Sequence, residues 1–462
     1  MNASRSENSS GIQIHERAPS RLWSLFLDLV YLACSPLLLL YLLVASRGFT
    51  RPKYRRGLYS KLGGGLERRQ GVKPCFWIHA VSVGEVLAAL PLIAALRERY
   101  SDWDLRVSVS TFTGFEVARK KLDEVPVFYF PLDFSPVLAR FFRALRPTAV
   151  ILLELELWPN FLIQAARRGV PVLVANGRIT ARSSGRYAWG GALTRKFFSL
   201  VTSFAVQNRD YLERFLRIGV DPEKIEVLGN LKHDREPAPV SRQAAKLREE
   251  LGLAAGKTLV LVAGSTHPEE ERILCRVYSE IKRRSGQLRL VLVPRHVERL
   301  DGQELASWRA GEPLERWSDV REAVGAGAPA LSGDAILVVD TVGELEMFYS
   351  MADLVFVGGS LIPHGGQNLF EPARLEKATL FGPYFANFSE EAALLLAEDQ
   401  AFCVADEGEL QAVAGRLLRN PSERQQLAAK ALKVASKLRG ATGRHVQWVE
   451  KQLRLYSDRG AC

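Results

Sequence analysis

The chain has 462 residues, a hydrophobic content of 47% and a formal net charge of +11, with 62 lysines and arginines against 51 aspartates and glutamates. This length is sufficient for two substantial domains, and the composition is that of a globular protein. The positive charge favours acidic partners, but it is dispersed and accompanies no helix-turn-helix, zinc-finger or RNP motif, which argues against nucleic acid.

The first 46 residues divide into a polar tail and an apolar segment. Residues 1–20 lack hydrophobic periodicity, so we expect no regular structure there. The apolar run Trp23–Val44 predicts a membrane anchor over residues 21–46, although Asp28 and Pro36 interrupt it and leave a full span open. Basic residues follow the run, which places the remaining chain on the cytoplasmic side of the membrane and favours a retained anchor over a cleaved signal peptide. These residues, which would also attract an anionic membrane surface, are Arg47, Arg51, Lys53, Arg55, Arg56 and Lys61.

Beyond residue 65, short apolar runs alternate with longer amphipathic stretches, the pattern of a doubly wound α/β sheet. A polar, proline-containing stretch from His233 to Arg242 predicts a linker. We therefore predict two Rossmann-like doubly wound domains facing a cleft, at 47–235 and 236–440, and a helix over 441–462 that could pack back on the first domain. The predicted strands lie near 74–79, 105–111, 126–130, 148–153, 171–176, 203–207 and 224–228 in the first domain, and near 258–263, 289–293, 335–340, 353–357 and 377–381 in the second.

The apolar run Phe76–Val86 ends in a small-residue turn and opens into a helix. As a buried parallel strand, it leaves Ser82, Gly84 and Glu85 at its carboxyl end, where ligands of open α/β sheets bind. Glycine at 84 permits close approach of a substrate, and the Glu85 carboxylate could act as a general base. The spacing Ser82-x-x-Glu85 is also that of a helix capping box, and this segment alone does not decide between the two interpretations.

Two further stretches of the first domain carry charges after predicted strands. In Ile151–Asn160, alternation places Glu154 and Glu156 on one face, and at least one of them is expected to point into the cleft. The alternative is a surface ion pair. In Asn176–Arg186, three arginines at i, i+4 and i+8 would form a phosphate-binding stripe on a helix, or else the solvated face of an ordinary core helix. These acceptor-side candidates are Arg178, Arg182 and Arg186.

The second domain offers anion-binding turns of its own. Ala263–Glu271 passes from a strand into a helix with Ser265, Thr266 and His267 at the turn, although Thr266-x-x-Glu269 is also a capping box. Val293–His296 presents a guanidinium and an imidazole after another strand. Glycine pairs in Phe356–Ser360 and His364–Glu371 permit close backbone approach to a ligand. The polar side chains of these segments are Arg295, His296, Ser360, Gln367, Asn368 and Glu371.

No pattern in the chain predicts a metal site. Asp102-Trp-Asp104 matches a DxD motif, but it precedes its strand and is typical of a turn. Without a carboxylate pair for a metal, a leaving phosphate would need cations such as Lys232. The cysteines form no CxxC pair and are expected to be buried reduced thiols. They are Cys34, Cys75, Cys275, Cys403 and Cys462.

Taken together, these motifs resemble those of the 3-deoxy-D-manno-octulosonic acid (Kdo) transferases, membrane-anchored enzymes of lipopolysaccharide inner-core assembly. The resemblance extends from the anchor to the final helices. It implies a GT-B fold, CMP-Kdo as donor, the lipid A precursor lipid IVA as acceptor, inversion at the anomeric carbon, and neither a cofactor nor a tightly held metal. The matching segments begin at His79, Glu154, Asn176, Gly229, Ser265, Leu292, Asp340 and Phe356.

The resemblance also implies roles for individual residues. Glu85 matches the family's proposed base, and Glu156 matches a second site carboxylate. Gln367 and the run Phe370-Glu-Pro stand where the family pattern has a histidine and an alanine-rich continuation. A transferase with another donor, such as a UDP-linked hexosamine, and a non-catalytic lipid-binding scaffold are the alternatives. The residues that match the donor-binding side are Lys232, Ser265, Thr266, Arg295, His296, Gly359, Ser360, Gly366, Asn368 and Glu371.

Overall fold

The computed structural model describes residues 22–33, 52–234, 241–253, 258–308, 311–325, 331, 334–399 and 402–460. The chain divides into two compact units. Unit 1 comprises Met1–Arg235 together with Gly440–Cys462, and unit 2 comprises Glu236–Arg439. The predicted N-terminal tail, much of the predicted anchor, Cys34, Cys462 and most of the predicted linker lie outside the described residues.

Unit 1 is built on a parallel sheet of seven described strands in the order β3-β2-β1-β4-β5-β6-β7. The central strands are apolar on both faces, as a sheet covered by helices on both sides requires. Neighbouring strands are held in register, with Ile78 beside both Val107 and Ile151. The strands are β1 (Cys75–Ala80), β2 (Asp104–Val109), β3 (Val127–Tyr129), β4 (Ala149–Leu153), β5 (Val172–Gly177), β6 (Ser203–Val206) and β7 (Ile225–Val227).

Helices cover both faces of this sheet. Side chains of β1 alternate between the two resulting cores, with Ile78 in the core that includes Leu92 and Trp448, and Trp77 in the core that includes Phe161. The helices of unit 1 are α1 (22–33), α2 (Pro52–Lys61), α3 (Val83–Arg99), α4 (Phe112–Lys121), α5 (Ser135–Leu145), α6 (Pro159–Ala166), α7 (Ala181–Trp189), α8 (Gly191–Ser199), α9 (Arg209–Ile218) and α19 (Ala441–Gly460), with 3-10 turns at Pro222–Lys224 and Leu231–Asp234.

Unit 2 repeats the architecture with a parallel sheet of six described strands in the order β10-β11-β9-β8-β12-β13. Its strands are β8 (Leu259–Thr266), β9 (Leu288–Pro294), β10 (Leu314–Arg316), β11 (Ile336–Val338), β12 (Leu354–Val357) and β13 (Ala378–Phe381). Its helices are α10 (Ser241–Glu250), α11 (Glu270–Ser285), α12 (Gly302–Trp308), α13 (Trp317–Gly325), α14 (Leu345–Met351), α15 (Phe370–Arg374), α16 (Ser389–Glu398), α17 (Glu407–Arg419) and α18 (Pro421–Leu438), with 3-10 turns at Val297–Arg299 and Ala386–Phe388.

The prediction of two parallel-sheet α/β domains is confirmed, and each of the twelve predicted strands is found. The sequence missed β10, a strand of three half-buried residues, Leu314–Arg316, at the edge of the unit 2 sheet. Cys75 and Cys275 are buried free thiols, as expected. Burial raises the pKa of Cys75 to about 11 and that of Cys275 to about 12, so both thiols stay protonated and unreactive.

The described part of the predicted anchor is the short helix α1, which lies against unit 1. Asp28, the residue that interrupts the apolar run, is buried there, and its Oδ1 accepts hydrogen bonds from Ser135 N at 3.0 Å and from Asn160 Nδ2 at 2.9 Å. Tyr31 Oη donates to Asp133 Oδ2 at 3.0 Å. Across the parts of the chain that the structure describes, no helix combines the length and apolarity needed to cross a bilayer.

Candidate active site

Glu85 lies at the carboxyl end of β1, at the start of α3. The capping interpretation is present in the structure: Ser82 Oγ caps α3 and donates to Glu85 Oε1 at 3.0 Å, and Val81 N donates to Glu85 Oε2 at 2.8 Å. A carboxylate has about four lone-pair sites, so these two bonds leave acceptor capacity for a proton. The half-buried Glu85 is therefore a cap whose position is fixed and whose carboxylate can still act as a base.

The electrostatic surroundings of Glu85 favour proton transfer. Burial raises the pKa of Glu85, the charge of Glu154 raises it further, and the hydrogen bond from Val81 and the charge of Lys232 oppose the increase. Burial, followed by the charge of Glu85, raises the pKa of Glu156 to about 7. Burial and the charge of Glu85 thus keep Glu156 partly protonated near neutral pH.

Glu154 and Glu156 are arranged differently from the expectation. β4 ends at Leu153, so strand alternation does not extend to the two glutamates and does not place them on one face. Glu154 adopts a left-handed backbone with φ of 58°, which is strained for a side chain with a Cβ. Lys232 Nζ lies 3.3 Å from Glu154 Oε1, in a partly buried ion pair. Lys232 is therefore held beside the carboxylates of unit 1, and Glu154, which the sequence did not single out from Glu156, is its partner.

The prediction that three arginines align on one face of a helix is wrong in part. Helix α7 is capped by Thr180 and begins at Ala181, so Arg178 precedes the helix and is not aligned with the other two arginines. Arg182 and Arg186 lie on α7 with exposed side chains, and Arg186 Nη2 donates to Ser183 Oγ at 3.2 Å. Arg178 is half-buried.

In unit 2, the glycine loop after β12 is organised by a residue that the sequence did not indicate, Glu270. Its buried carboxylate accepts from His267 N at 3.1 Å and from three consecutive N–H groups of the loop. Those distances are 2.6 Å for Gly359 N, 3.0 Å for Ser360 N and 3.0 Å for Leu361 N. Burial raises the pKa of Glu270, and these N–H groups oppose the increase. The predicted capping box Thr266-x-x-Glu269 is wrong, because α11 begins at Glu270 and Glu269 has φ of 77° and makes no cap.

Most of the residues predicted to bind the donor fall into two groups. The first group shapes the loop: Ser360 is fully buried, donates to Val357 O and accepts from Gly382 N at 2.8 Å. The N–H of Gly359 is taken by Glu270 and that of Gly366 by Gly359 O at 2.7 Å. A side chain at Gly358 would lie 2.6 Å from Thr266 Cα, so the loop packs directly on the end of β8.

In the second group, Arg295 and His296 leave polar atoms accessible, whereas His267 is buried. Arg295 and His296 are exposed at the end of β9. His267 is next to His364, with ring centroids 3.9 Å apart, and its Nε2 lies 3.1 Å from Gln367 Nε2. Burial, followed by the charge of His364, lowers the pKa of His267 to about 4, so this imidazole is neutral at physiological pH.

The remaining predicted donor-side residues lie at or near these turns. Ser265 is buried at the end of β8 with φ of 55°, and Thr266 beside it is fully buried. Asn368 Nδ2 donates to Glu371 Oε1 at 3.2 Å, so the two side chains position each other at the start of α15. Ser265, Asn368 and Glu371 thus sit at the same strand and helix ends as the glycine loop.

Comparison with known proteins identifies the family of the chain. A family model for 3-deoxy-D-manno-octulosonic-acid transferase (kdotransferase) matches residues 50–235. The 3-deoxy-D-manno-octulosonic acid transferase of Chlamydophila psittaci is 35% identical over 379 residues, which cover 81% of this chain and 84% of the relative. The chain belongs to the Kdo transferase family.

A second member of the Kdo transferase family, from Haemophilus influenzae, is 30% identical over 92% of this chain and 97% of its own length. The sequence-based assignment to the family is therefore confirmed, and the protein is a glycosyltransferase. Among solved structures, the C-terminal CMP-Kdo binding domain of WaaA from Acinetobacter baumannii is 28% identical and covers 42% of this chain and 97% of that domain, with a TM-score of 0.38. UDP-GlcNAc 2-epimerase from Neisseria meningitidis, 12% identical with a TM-score of 0.56, covers 82% of this chain and 99% of the epimerase and shares the fold alone.

Proposed function

We propose that this protein transfers Kdo from CMP-Kdo to the lipid A precursor lipid IVA, with inversion at the anomeric carbon and Glu85 as the general base. Membership of the Kdo transferase family supports the reaction class. The observation that carries the assignment of the base is the geometry of Glu85, a half-buried carboxylate fixed at a strand end with a raised pKa and with Lys232 and Glu156 as neighbours.

The proposed chemistry is a single displacement. A hydroxyl oxygen of the acceptor bonds to the anomeric carbon of Kdo, the bond from that carbon to the CMP phosphate oxygen breaks, and the phosphate leaves with the electron pair. Glu85 takes the hydroxyl proton, a role worth about 10² to 10⁴ in rate. Glu156, whose pKa is about 7, is partly protonated near neutral pH, which reduces the negative charge close to Glu85.

Unit 2 is proposed to bind the donor. Arg295 and His296 are exposed at one strand end and can neutralise phosphate or carboxylate charge. The glycine loop held by Glu270 permits close approach of the nucleotide. Lys232 supplies a further cation for the departing phosphate, and Ser82, Gly84 and the arginines around α7 are proposed to contact the acceptor. Cations placed where negative charge develops stabilise the transition state.

Attachment to the cytoplasmic face of the inner membrane is proposed on the basis of α1. Its buried side, with Ser24 and Asp28, packs on unit 1, and its other side exposes large apolar residues. Lys196 of α8 lies 4.4 Å from the ring centroid of Trp23, so cationic and apolar side chains adjoin. This combination is typical of a membrane-surface helix. The exposed apolar residues of α1 are Leu22, Leu25, Phe26, Leu29, Val30 and Leu32.

The test is product formation from CMP-Kdo and lipid IVA by the purified full-length chain. Mass spectrometry is expected to show addition of Kdo, and NMR of the product is expected to show inverted anomeric configuration. Competition by CMP but not by UDP would support the donor. Preference for UDP, or absence of turnover in a folded protein that binds lipid IVA, would reject the proposal in favour of another donor or a scaffold.

A further inference from the structure

The segment that carries Lys232 is held by the beginning of the C-terminal helix α19. Arg444 Nε donates to Leu228 O at 2.8 Å, on one side of the segment. On the other side, the Asp234 carboxylate accepts from Gly440 N at 2.6 Å and from Thr442 N. Residues more than 200 positions apart in the chain are thus clamped together at both ends of the 228–234 segment.

Between these two contacts, the segment is also reached by a buried hydrogen-bond network that begins at His445. His445 is fully buried, and Asn176 N lies 3.1 Å from its Nε2. A backbone N–H can only donate, so Nε2 must be the unprotonated acceptor, and the proton on Nδ1 is donated to Ala441 O at 2.8 Å. The network therefore fixes one neutral tautomer of His445.

The same asparagine connects His445 to the lysine segment. Asn176, fully buried with φ of 57°, accepts with Oδ1 from Leu231 N at 3.0 Å, and its carbonyl accepts from Gln207 Nε2 at 3.0 Å. Leu231 directly precedes Lys232, whose Nζ reaches Glu154 at 3.3 Å. An unbroken series of hydrogen bonds and one peptide bond thus leads from His445 to the cation beside the carboxylates.

We infer that His445 is a positioning residue for glycosyl transfer, which acts through Asn176 and Leu231 to hold Lys232 at its place beside Glu154. The inference rests on the proposed function, in which Lys232 stabilises the departing phosphate. A buried N–H left without its acceptor costs free energy, so loss of the Nε2 acceptor shifts the Asn176 turn and with it Leu231. A displacement of about 1 Å at a positioned group lowers turnover by up to about 100-fold.

Trp448 provides a control within the same helix. It lies one turn after His445, is likewise buried, and its Nε1 donates to Ser203 Oγ at 3.0 Å. That bond docks α19 on β6 without a hydrogen bond to Asn176 or to the lysine segment. The Trp448 and His445 rings are in edge-to-face contact with centroids 6.2 Å apart. Trp448→Phe keeps an aromatic ring there and removes only the bond to Ser203, so it weakens docking of the helix while the hydrogen bonds of His445 stay in place.

The experiment compares two amide substitutions that differ by one methylene. In His445→Gln the side-chain oxygen can reach the position of Nε2 and accept from Asn176 N, whereas in His445→Asn it cannot. We expect His445→Asn to lower kcat for CMP-Kdo turnover by about 10- to 100-fold, His445→Gln to restore most of it, and Trp448→Phe to lower the Tm without lowering kcat. Equal kcat losses in His445→Asn and Trp448→Phe would overturn the inference. If His445→Asn does not fold, Asn176→Gly, which tolerates the positive φ and removes Oδ1, takes its place and is expected to lower kcat likewise.

A double-mutant cycle with Lys232→Ala separates this inference from the proposed function. If His445 acts through Lys232, the His445→Asn substitution causes no further loss of kcat in the Lys232→Ala background. Full additivity would reject the inference and leave the role of Lys232 in place. Wild-type turnover by Lys232→Ala would reject both the inference and the proposed role of Lys232.

Discussion

Single residues at the carboxyl ends of β1 and β4 determine what unit 1 can do chemically. Capping and catalysis are compatible at Glu85, since the same bonds from Val81 and Ser82 that cap α3 also fix the carboxylate. The sequence indicated both interpretations, and the structure confirms the capping bonds. The sequence could not rank the two, because the capping spacing is the same whether or not the carboxylate faces a substrate. It also could not separate Glu154 from Glu156, since β4 ends at Leu153, before both of them.

The raised pKa of Glu156 gives a pH-dependent stability. A carboxyl whose folded pKa is about 7 and whose unfolded value is 4.5 binds more protons in the folded state, so it destabilises the fold progressively as the pH rises from 4.5 to about 7. We expect the Tm of Glu156→Gln, relative to wild type, to be higher at pH 8 than at pH 4.5. Thermal unfolding at the two pH values measures this. A difference that does not vary with pH would contradict the assignment.

Among the elements, the buried strands and the glycine loop were predictable, but the residue that holds the loop was not. Strands buried on both faces appear as continuous apolar runs, whereas the short edge strand β10 has the composition of a surface segment. The run Glu269-Glu270-Glu271 shows the limit most clearly. Glu269 has a left-handed backbone, Glu270 holds the glycine loop and Glu271 pairs with Arg299, and no local pattern distinguishes three identical residues.

Removal of one oxygen acceptor from Glu270 should disturb the glycine loop. In Glu270→Gln the side-chain amide NH₂ replaces an oxygen that accepts from two backbone N–H groups, which leaves buried donors facing each other. We expect unfolding free energy to fall by about 1 to 3 kcal/mol and CMP binding to weaken. Urea unfolding and calorimetric titration with CMP measure the two effects. Glu280→Gln, which removes a surface pair with Arg283 on the same helix, is the control, and equal behaviour of both variants would refute the role of Glu270.

At the scale of the whole molecule, the alternation of apolar runs and amphipathic stretches was sufficient to predict two α/β units. The element against which each helix packs was not predictable, because amphipathicity shows that one face of a helix is buried but does not identify its packing partner. Asp28 illustrates this: it was an interruption of an apolar run in the sequence, and it docks α1 through Ser135 and Asn160 in the structure.

Attachment to membranes should depend on the exposed face of α1. Leu25 and Leu29 are 55% and 57% exposed among the described residues, so replacing both with serine removes mainly apolar area that faces outward from α1. We expect partition onto anionic vesicles to fall by about 30-fold, since the lost transfer free energy is about 2 kcal/mol, with an unchanged Tm. Vesicle flotation measures the partition. Val342→Ser, at an exposed position of unit 2, should float like wild type, and flotation of the double variant at wild-type levels would remove α1 as the attachment site.

The central claim is that Glu85 accepts the proton of the attacking hydroxyl. Turnover of CMP-Kdo by Glu85→Gln tests it most directly, because glutamine keeps an oxygen for the Val81 N–H and retains the cap while it cannot take a proton. We expect a protein with a near wild-type Tm and a kcat reduced by about 10² to 10⁴. A folded Glu85→Gln protein with wild-type kcat would contradict it and would leave Glu85 with a capping role alone.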